Sequence, residues 1–387
     1  MPEFGSALRP RFCLESGVDF LNHGSFGAAP RDVLDAAERW RGQMETNPDR
    51  FFRDVLPAEL RRRAGELARF FGADPSSVAF VDNATTALNA VLRSLDFQPG
   101  DEILLNSQSY GAVRQIARYV CSRTGAKLVE PRIPVPLAER SQLVTALASA
   151  LSSRTRLVVI DHISSPTGLV WPVADLVALA RSHGAQTLID GAHAPGQLEL
   201  DVPALGADWY VGNCHKWLFA PRGCGFLWAR AETHAAIHPA TISHGYGRGF
   251  TAEFDWTGTR DFSAWLAIDA ALRFLQELDA ARVQRYCHEL VARAAQEIAR
   301  AWKEPLAAPA ALHASMTAIR LPRAWQQAAP ATREAAAELQ SVFLREHRIV
   351  VAIMAIDGAL WARISAQVYN APQDYARLLA LGVRGPR

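Results

Sequence analysis

Lysine is scarce in this chain, and so is any excess of charge. Of the 41 basic residues among 387, only three are lysine: Lys127, Lys216 and Lys303. A reaction that needs a primary amine therefore has few candidate side chains. The formal net charge is only +2, and no basic face indicates nucleic acid as a partner.

Cysteine and long apolar runs are also sparse. The five cysteines contain no CxxC pair and no even set for a disulfide framework, which favours a reducing compartment. No apolar run approaches about 18 residues, so we expect no membrane-spanning helix and no membrane partner. The first twenty residues lack the apolar stretch of a secretory signal. Together these features predict a cytoplasmic protein.

The remaining composition is that of a folded protein with more than one hydrophobic core. Apolar residues make up 49% and charged residues 21% of the chain, which excludes a mainly disordered protein. A length of 387 residues exceeds what one core usually fills.

Short apolar strands alternate with amphipathic helices in the middle of the chain. This alternation predicts an α/β fold with a mainly parallel sheet and ligands at the carboxyl ends of its strands. The predicted strands are Val78–Val81, Glu102–Leu105, Lys127–Glu130, Leu157–Asp161, Thr187–Asp190, Trp209–Gly212 and Gly225–Trp228. The predicted helices between them are Ala84–Leu95, Tyr110–Arg123, Ser141–Leu151 and Val173–Ser182.

The flanking segments predict further ordered parts. Helices Arg31–Trp40 and Ala58–Phe71 precede the sheet, and Phe262–Trp302 is a long helical stretch without proline. The pattern after it predicts a smaller α+β domain. Its strands would be Thr317–Leu321, Val350–Met354 and Leu360–Ser365, with helices Thr332–Glu346 and Gln373–Leu381.

Lys216 stands out because it follows a strand end and precedes Trp-Leu-Phe. In apolar surroundings desolvation disfavours an ammonium ion, which is the condition for a lysine that forms a Schiff base. A solvated surface lysine is the competing interpretation. That interpretation fits the contexts of Lys127 and Lys303 better than the context of Lys216.

Asp190 ends an apolar strand and is followed by Gly-Ala-His. A carboxylate there lies where a sheet presents its ligand. In a pyridoxal phosphate (PLP) site, an acidic residue pairs with the ring nitrogen and keeps it protonated. A helix N-cap is the alternative role for an aspartate before glycine. The spacing from Asp190 to Lys216, with one strand between them, favours the cofactor site.

Three further positions have both a functional and a structural interpretation. The segment Asn83–Thr86 begins a helix after a strand and could bind phosphate, or simply cap the helix. Tyr110 could lie against a flat cofactor or in the core. Arg363, within an apolar strand, needs an anionic partner, which is either a substrate carboxylate or a structural salt bridge.

These residues resemble a known family. The chain is similar to fold-type I PLP enzymes of the class V aminotransferase family, in the branch typified by isopenicillin N epimerase. The motifs that carry the resemblance span residues 21 to 365. They are Asn22–Gly27, Asn83–Asn89, Asp161–Gly168, Asp190–His193, His215-Lys216, Asp255–Asp261 and Arg363–Ser365.

The resemblance implies a domain organisation and a set of site residues. We expect an N-terminal arm at 1–30, a large PLP-binding domain at 31–260, connecting helices at 261–302 and a small C-terminal domain at 303–387 that packs with the arm. Lys216 would form the internal aldimine, Asp190 would hold the pyridine nitrogen, and His193 would complete the catalytic set. The other cofactor contacts would come from Ala84, Thr85, Thr86, Tyr110, Ser165, Asn213, His215 and Thr259. Substrate contacts would come from Arg363, Asn22, His23 and Ser25.

The resemblance also implies a dimeric assembly, and the chain departs from related enzymes at two positions. Thr259 would reach the cofactor phosphate of a partner subunit, so we expect a homodimer. Class V desulfurases usually have asparagine at the position of Ser165 and histidine at the position of Tyr110. No metal is expected, since the pair His234 and His238 lacks the glutamate of a zinc protease motif.

The implied activity is removal of the Cα proton of an amino-acid substrate through an external aldimine. Epimerase (isomerase), transaminase (transferase) and lyase outcomes remain open, because each begins with the same proton removal. A C–S lyase acting on a cysteine conjugate is the main alternative. A persulfide-forming desulfurase is disfavoured because no cysteine follows Cys287. A nicotinamide oxidoreductase is disfavoured because it would need a glycine fingerprint that the first strands lack. A PLP-binding protein without catalysis is disfavoured because it would not need all of Lys216, Asp190 and Arg363.

Overall fold

The computed structural model describes residues 3–384 and has a seven-stranded sheet at its centre. The twelve strands of the described residues are β1 (Asp19–Phe20), β2 (Val78–Val81), β3 (Glu102–Leu104), β4 (Lys127–Val129), β5 (Thr155–Asp161), β6 (Gln186–Gly191), β7 (Trp209–Asn213), β8 (Gly225–Ala229), β9 (Met316–Arg320), β10 (Ile349–Val350), β11 (Ala352–Ile356) and β12 (Ala359–Ser365). The central sheet has the order β2-β8-β7-β6-β5-β3-β4. Strand β8 is antiparallel to both neighbours, and the other pairs are parallel. The prediction of a mainly parallel α/β sheet is confirmed, with all seven strands where expected.

Helices cover both faces of this sheet. The fifteen α-helices of the described residues are α1 (His23–Phe26), α2 (Arg31–Thr46), α3 (Pro48–Arg50), α4 (Leu56–Phe70), α5 (Ala84–Ser94), α6 (Gly111–Thr124), α7 (Ser141–Ala150), α8 (Val173–Ser182), α9 (Phe250–Asp255), α10 (Ser263–Leu266), α11 (Ile268–Leu278), α12 (Ala280–Trp302), α13 (Arg323–Ala328), α14 (Arg333–His347) and α15 (Ala376–Arg384). Alternate strand residues point to opposite faces. In β2, Val78 and Phe80 join one apolar core while Ala79 and Val81 join the other. Within residues 3–384, no helix combines the length and the apolar composition needed to cross a membrane.

The expected helical stretch Phe262–Trp302 is divided into three helices, α10, α11 and α12. The second break lies at Asp279, whose φ is +64°. Its side chain accepts hydrogen bonds from the first amides of α12, including that of Ala281 at 3.1 Å. An aspartate that caps the following helix therefore supplies the break that glycine or proline more often signals.

The C-terminal part contains a three-stranded antiparallel sheet in the order β11-β12-β9. The predicted strand Val350–Met354 is split, because β10 pairs in parallel with β1 and β11 pairs with β12. The predicted helix Gln373–Leu381 begins with a 3₁₀ turn, Pro372–Tyr375, and continues as α15. Helix α13 was not predicted. The division into an arm, two domains and connecting helices stays a prediction, and its residues 1–2 and 385–387 lie outside the described residues.

The sheet brings chemically active segments to one edge. Strands β5, β6 and β7 are parallel neighbours and end at Asp161, Gly191 and Asn213. Their carboxyl ends therefore point in the same direction. Helix α5 begins beside them, since the backbone N–H of Ala84 donates to Oδ1 of Asn213 at 2.9 Å.

Candidate active site

A cavity of about 620 Å³ lies at this edge of the sheet, and we refer to it as the main cavity. Most of the predicted site residues line it: Ser25, Ala84, Thr85, Thr86, Tyr110, Ser165, Asp190, His193, Asn213, His215 and Lys216. Four predicted site residues are not among its lining residues: Asn22, His23, Thr259 and Arg363. The lining also includes Phe26, Asp82, Asp161 and Arg222, for which the sequence suggested no role.

Lys216 is the lysine of the main cavity, and Lys127 and Lys303 are exposed elsewhere. Its Nζ lies 3.2 Å from Nε2 of His193. Burial and the charge of Arg363 lower the pKa of Lys216 to about 7, against the opposing influence of Asp190. A substantial fraction of this amine is therefore neutral near pH 7. The surface-lysine interpretation of Lys216 is wrong.

The backbone that carries Lys216 is held from behind by the N-terminal segment. Nε2 of His23 lies 2.9 Å from the Lys216 carbonyl oxygen, and Nδ1 of His23 lies 2.8 Å from the hydroxyl of Tyr369. Gly27 has a φ of +68°, and a Cβ there would lie 2.0 Å from the backbone oxygen of His215. His23 is fully buried, so it contacts the lysine segment rather than the interior of the main cavity.

Asp190 is the penultimate residue of β6, lines the main cavity and is 5% exposed. Its Oδ1 accepts a hydrogen bond from the backbone N–H of Ala192 at 3.0 Å. Burial raises the pKa of Asp190, while the Ala192 amide and the charge of Lys216 act in the opposite direction. No α-helix begins after Asp190 before Phe250 in the described chain, so the N-cap interpretation is wrong.

Asp161 is a second buried carboxyl group in the main cavity, and sequence analysis missed it. It ends β5 in direct register with Asp190 of β6. Its Oδ2 accepts hydrogen bonds from Nδ2 of Asn106 at 2.8 Å and from the hydroxyl of Ser109 at 3.1 Å. Burial and the neighbouring Asp190 raise the pKa of Asp161 to about 7. The signal was present in the sequence, because Asp161 ends a predicted strand just as Asp190 does.

The start of α5 combines both roles that the sequence left open. Asn83 caps the helix, since its Oδ1 accepts from the Thr86 amide at 2.9 Å. Thr85 and Thr86 also line the main cavity. A helix N-terminus with hydroxyl-bearing residues is suited to an anion such as phosphate.

Tyr110 precedes α6 at the mouth of the main cavity and is 49% exposed. The core-aromatic interpretation of this residue is therefore wrong. Phe26, on the same cavity, is 71% exposed. The entrance thus carries two aromatic side chains.

Arg363 is fully buried behind the cavity wall in β12. Its guanidinium donates to the backbone oxygen of Ser165 and, at 3.0 Å each, to Oδ1 of Asn22 and Oγ of Ser25. These acceptors are neutral, and no carboxylate of residues 3–384 forms an ion pair with Arg363. Burial lowers the pKa of Arg363 to about 10. The described residues therefore do not support a structural salt bridge.

Thr259 is exposed and lies on a neighbouring cavity of about 260 Å³. Asp82 and Thr86 line both this cavity and the main cavity. Arg260, next to Thr259, forms an ion pair with Asp82. Within one chain, Thr259 is thus outside the main cavity.

Comparison with known proteins identifies similar sequences and folds. The profile of the family described as Aminotransferase class-V matches residues 28–378. The chain is 34% identical to putative L-cysteine desulfhydrase 1 of Oryza sativa subsp. japonica, over 94% of this chain and 82% of that protein. It is 33% identical to isopenicillin N epimerase of Streptomyces clavuligerus, over 96% of this chain and 95% of the epimerase. A solved structure of a C-DES mutant, with glycine covalently linked to its PLP cofactor, superposes with a TM-score of 0.79 at 24% identity and covers 98% of this chain and 99% of that one.

We predict that Asp161→Asn changes how the stability of the cofactor-free protein depends on pH. The folded protein holds a proton on Asp161 up to about pH 7, whereas the unfolded chain releases it near the ordinary pKa of 3.8. The contribution of Asp161 therefore lowers the free energy of unfolding as pH rises from 3.8 to about 7. An asparagine does not titrate, so the variant lacks this decrease. In urea denaturation from about pH 4.5 to 7.5, the free energy of unfolding of the variant should increase relative to that of the wild type as pH rises.

The exposed Asp96→Asn variant controls for the loss of one negative charge. A stability difference between Asp161→Asn and the wild type that stays constant over the same pH range would contradict the assignment.

Proposed function

The chain belongs to the class-V aminotransferase family of PLP-dependent enzymes, and we propose that it uses Lys216 to remove the Cα proton of an amino-acid substrate bound in the main cavity. The observation that carries this proposal is the Lys216 amine of the main cavity, whose pKa is lowered to about 7 by burial and by the charge of Arg363, which lies behind the cavity wall without an ion-pair partner among residues 3–384. One residue is then suited to take a proton, and the other to hold a carboxylate.

The residues of the main cavity fit pyridoxal phosphate. Asp190 is a buried carboxylate without an ion-pair partner among residues 3–384, and it suits a protonated ring nitrogen. The start of α5 suits the phosphate, Lys216 suits the aldehyde, and Tyr110 suits a ring face. When bound, the cofactor supplies an aldehyde that bonds to amines and an electron-withdrawing ring that makes the substrate Cα proton acidic.

Arg363 is proposed to hold the substrate α-carboxylate. Its rigid fork can donate two parallel, charge-assisted hydrogen bonds to a planar anion. Asn22 and Ser25 already accept from the same guanidinium nitrogen at 3.0 Å. Their role is to orient Arg363 and to border the substrate, and His23 is proposed to support the backbone of Lys216 from behind.

A second candidate is a C–S lyase that eliminates the sulfur group of a cysteine-type substrate. The similar proteins include L-cysteine desulfhydrases at 30–34% identity. Elimination needs no nucleophilic thiol, and none of the five cysteines, all of which lie in the described chain, lines the main cavity. Epimerisation or transamination by the same proton removal is the other outcome, in line with the epimerase relative.

The active unit is proposed to be a homodimer in the cytoplasm. Thr259 is exposed beside the main cavity but does not line it, so a residue in this position is available to a partner subunit. The net charge of +2 supports a small-molecule substrate rather than nucleic acid. All five cysteines are free thiols, which supports a reducing compartment. A tagged protein found outside the cytoplasm would contradict the proposed location.

The proposed function is tested by following Cα protons in heavy water. Cofactor-loaded protein is incubated with a panel of amino acids including cysteine and cystine, and NMR monitors deuterium at Cα, inverted stereocentres, keto acids and elimination products. Lys216→Ala should lower Cα exchange by ~100-fold or more, because it removes the base. Lys127→Ala, at an exposed lysine, is the matched control.

Sulfide and ammonia release from cysteine would identify the lyase, and inverted or deuterated substrate without release would identify the epimerase outcome. Equal exchange by Lys216→Ala and wild type, or no exchange with any amino acid by loaded protein, would refute the proposal.

We predict that Arg363→Lys lowers kcat/KM for the amino-acid substrate by about 30-fold or more, because lysine cannot provide the paired hydrogen bonds. Cofactor loading should persist, since other residues hold the cofactor. Arg320→Lys, at an exposed arginine of the adjacent strand β9, is the control. Loss of cofactor or folding with unchanged substrate affinity would instead indicate a structural role for Arg363.

For the dimer we predict that Thr259→Val weakens cofactor binding about tenfold without changing subunit association, because one hydrogen bond to a charged phosphate is lost. Sedimentation velocity and cofactor titration measure the two properties on the same samples. A fully active monomer, or unchanged cofactor affinity in the variant, would remove the claim.

A further inference from the structure

The indole of Trp217 contacts the imidazole of His193 on the side away from Lys216. Nε1 of Trp217 donates to Nδ1 of His193 at 3.4 Å. An indole N–H can donate a hydrogen bond but cannot accept one. Nδ1 of His193 is therefore the acceptor and carries no proton.

The imidazole of His193 is also neutral. Burial lowers its pKa well below 6.5, and the positive charges of Lys216 and Arg363 act in the same direction, with His215 and His23 also facing it. A neutral imidazole has one N–H, and Nδ1 does not carry it. The proton must be on Nε2, which lies 3.2 Å from Nζ of Lys216.

Packing holds both rings in this arrangement. Trp217 is 2% exposed and lies against the ring of His23, with centroids 4.8 Å apart. The carbonyl oxygen of His193 accepts from Nε2 of Gln197 at 2.6 Å, and Oε1 of Gln197 accepts from the Ser315 amide at 2.8 Å. The hydrogen bond between the two rings is thus part of a fixed network.

We propose that Trp217 is a positioning residue that fixes His193 as the Nε2–H tautomer, so that His193 donates a hydrogen bond into the main cavity at Lys216. In this state His193 does not serve as a base. Its N–H opposes an ammonium form of Lys216, because two donors would then face each other, and it favours the neutral amine. The use of this donor in catalysis rests on the proposed function, whereas the tautomer rests on the contacts of the chain alone.

The tautomer can be measured directly by NMR of protein labelled with ¹⁵N-histidine, with and without the cofactor. His193→Gln assigns the resonance among the eleven histidines. In the wild type we expect a neutral ring with a protonated Nε2 and an unprotonated Nδ1. In Trp217→Phe, which keeps an aromatic ring but removes the donor, the tautomer ratio should shift about fivefold towards Nδ1–H, the effect of one ordinary hydrogen bond.

Trp302→Phe is the matched control, because Trp302 is also buried and its indole donates to the Leu379 oxygen at 3.0 Å, outside the main cavity. It should leave the His193 signals unchanged. A cationic or Nδ1-protonated His193 in the wild type at neutral pH would overturn the proposal even if Trp217→Phe failed to fold. An unchanged tautomer in a folded Trp217→Phe would also overturn it.

A double-mutant cycle tests the functional part. A glutamine at position 193 has a fixed amide donor, so Trp217→Phe should lower kcat for Cα exchange in the wild-type background and have little further effect in His193→Gln. Equal effects in both backgrounds would indicate that Trp217 acts only through packing. If no amino acid shows exchange while the tautomer is as expected, the proposed function fails and the tautomer assignment stands.

Discussion

Burying an amine removes the water that stabilises its charged form, and Lys216 is the amine that this fold buries. The chemistry of the main cavity depends on that burial, because a lysine with an ordinary pKa would be charged and unable to accept a proton. The charge of Arg363 lowers the pKa of Lys216 further, while Asp190 limits the effect. Neither Asp190 nor Arg363 has an ion-pair partner within the described chain. A positively charged ring nitrogen would supply the counter-charge for Asp190, and a substrate carboxylate would supply it for Arg363.

The N-terminal segment connects Arg363 with the backbone of Lys216. Asn22 and Ser25 accept from Arg363, while His23 lies 2.9 Å from the carbonyl oxygen of Lys216. The same segment is attached to the C-terminal part through the pairing of β1 with β10. Substrate binding at Arg363 would therefore act on the short helix α1, which also contacts the backbone of Lys216, the proposed base. This arrangement joins Arg363 and the backbone of Lys216 through one set of hydrogen bonds.

The large sheet could be predicted from sequence because it follows local rules, whereas most residues of the main cavity were expected only from the resemblance to a known family. Apolar strands between amphipathic helices fixed the order of elements, and the scarcity of lysine isolated Lys216. The break between α11 and α12 was not predictable, because Asp279 adopts a positive φ that aspartate rarely shows. The pairing of β10 with β1 joins residues more than 300 positions apart, and no local pattern encodes it. Asp161 was missed although the rule that found Asp190 applies to it equally. The contact between Trp217 and His193 depends on side-chain packing that only the structure provides.

The central claim is that Lys216 is the residue to which the cofactor bonds, and reduction of the loaded protein with borohydride followed by peptide mass mapping tests it most directly. The predicted result is a single cofactor-sized mass increase on the peptide that contains Lys216, with Lys127 and Lys303 unmodified. A cofactor mass on either of those two peptides, or no mass increase in protein that has been loaded with pyridoxal phosphate, would contradict the account.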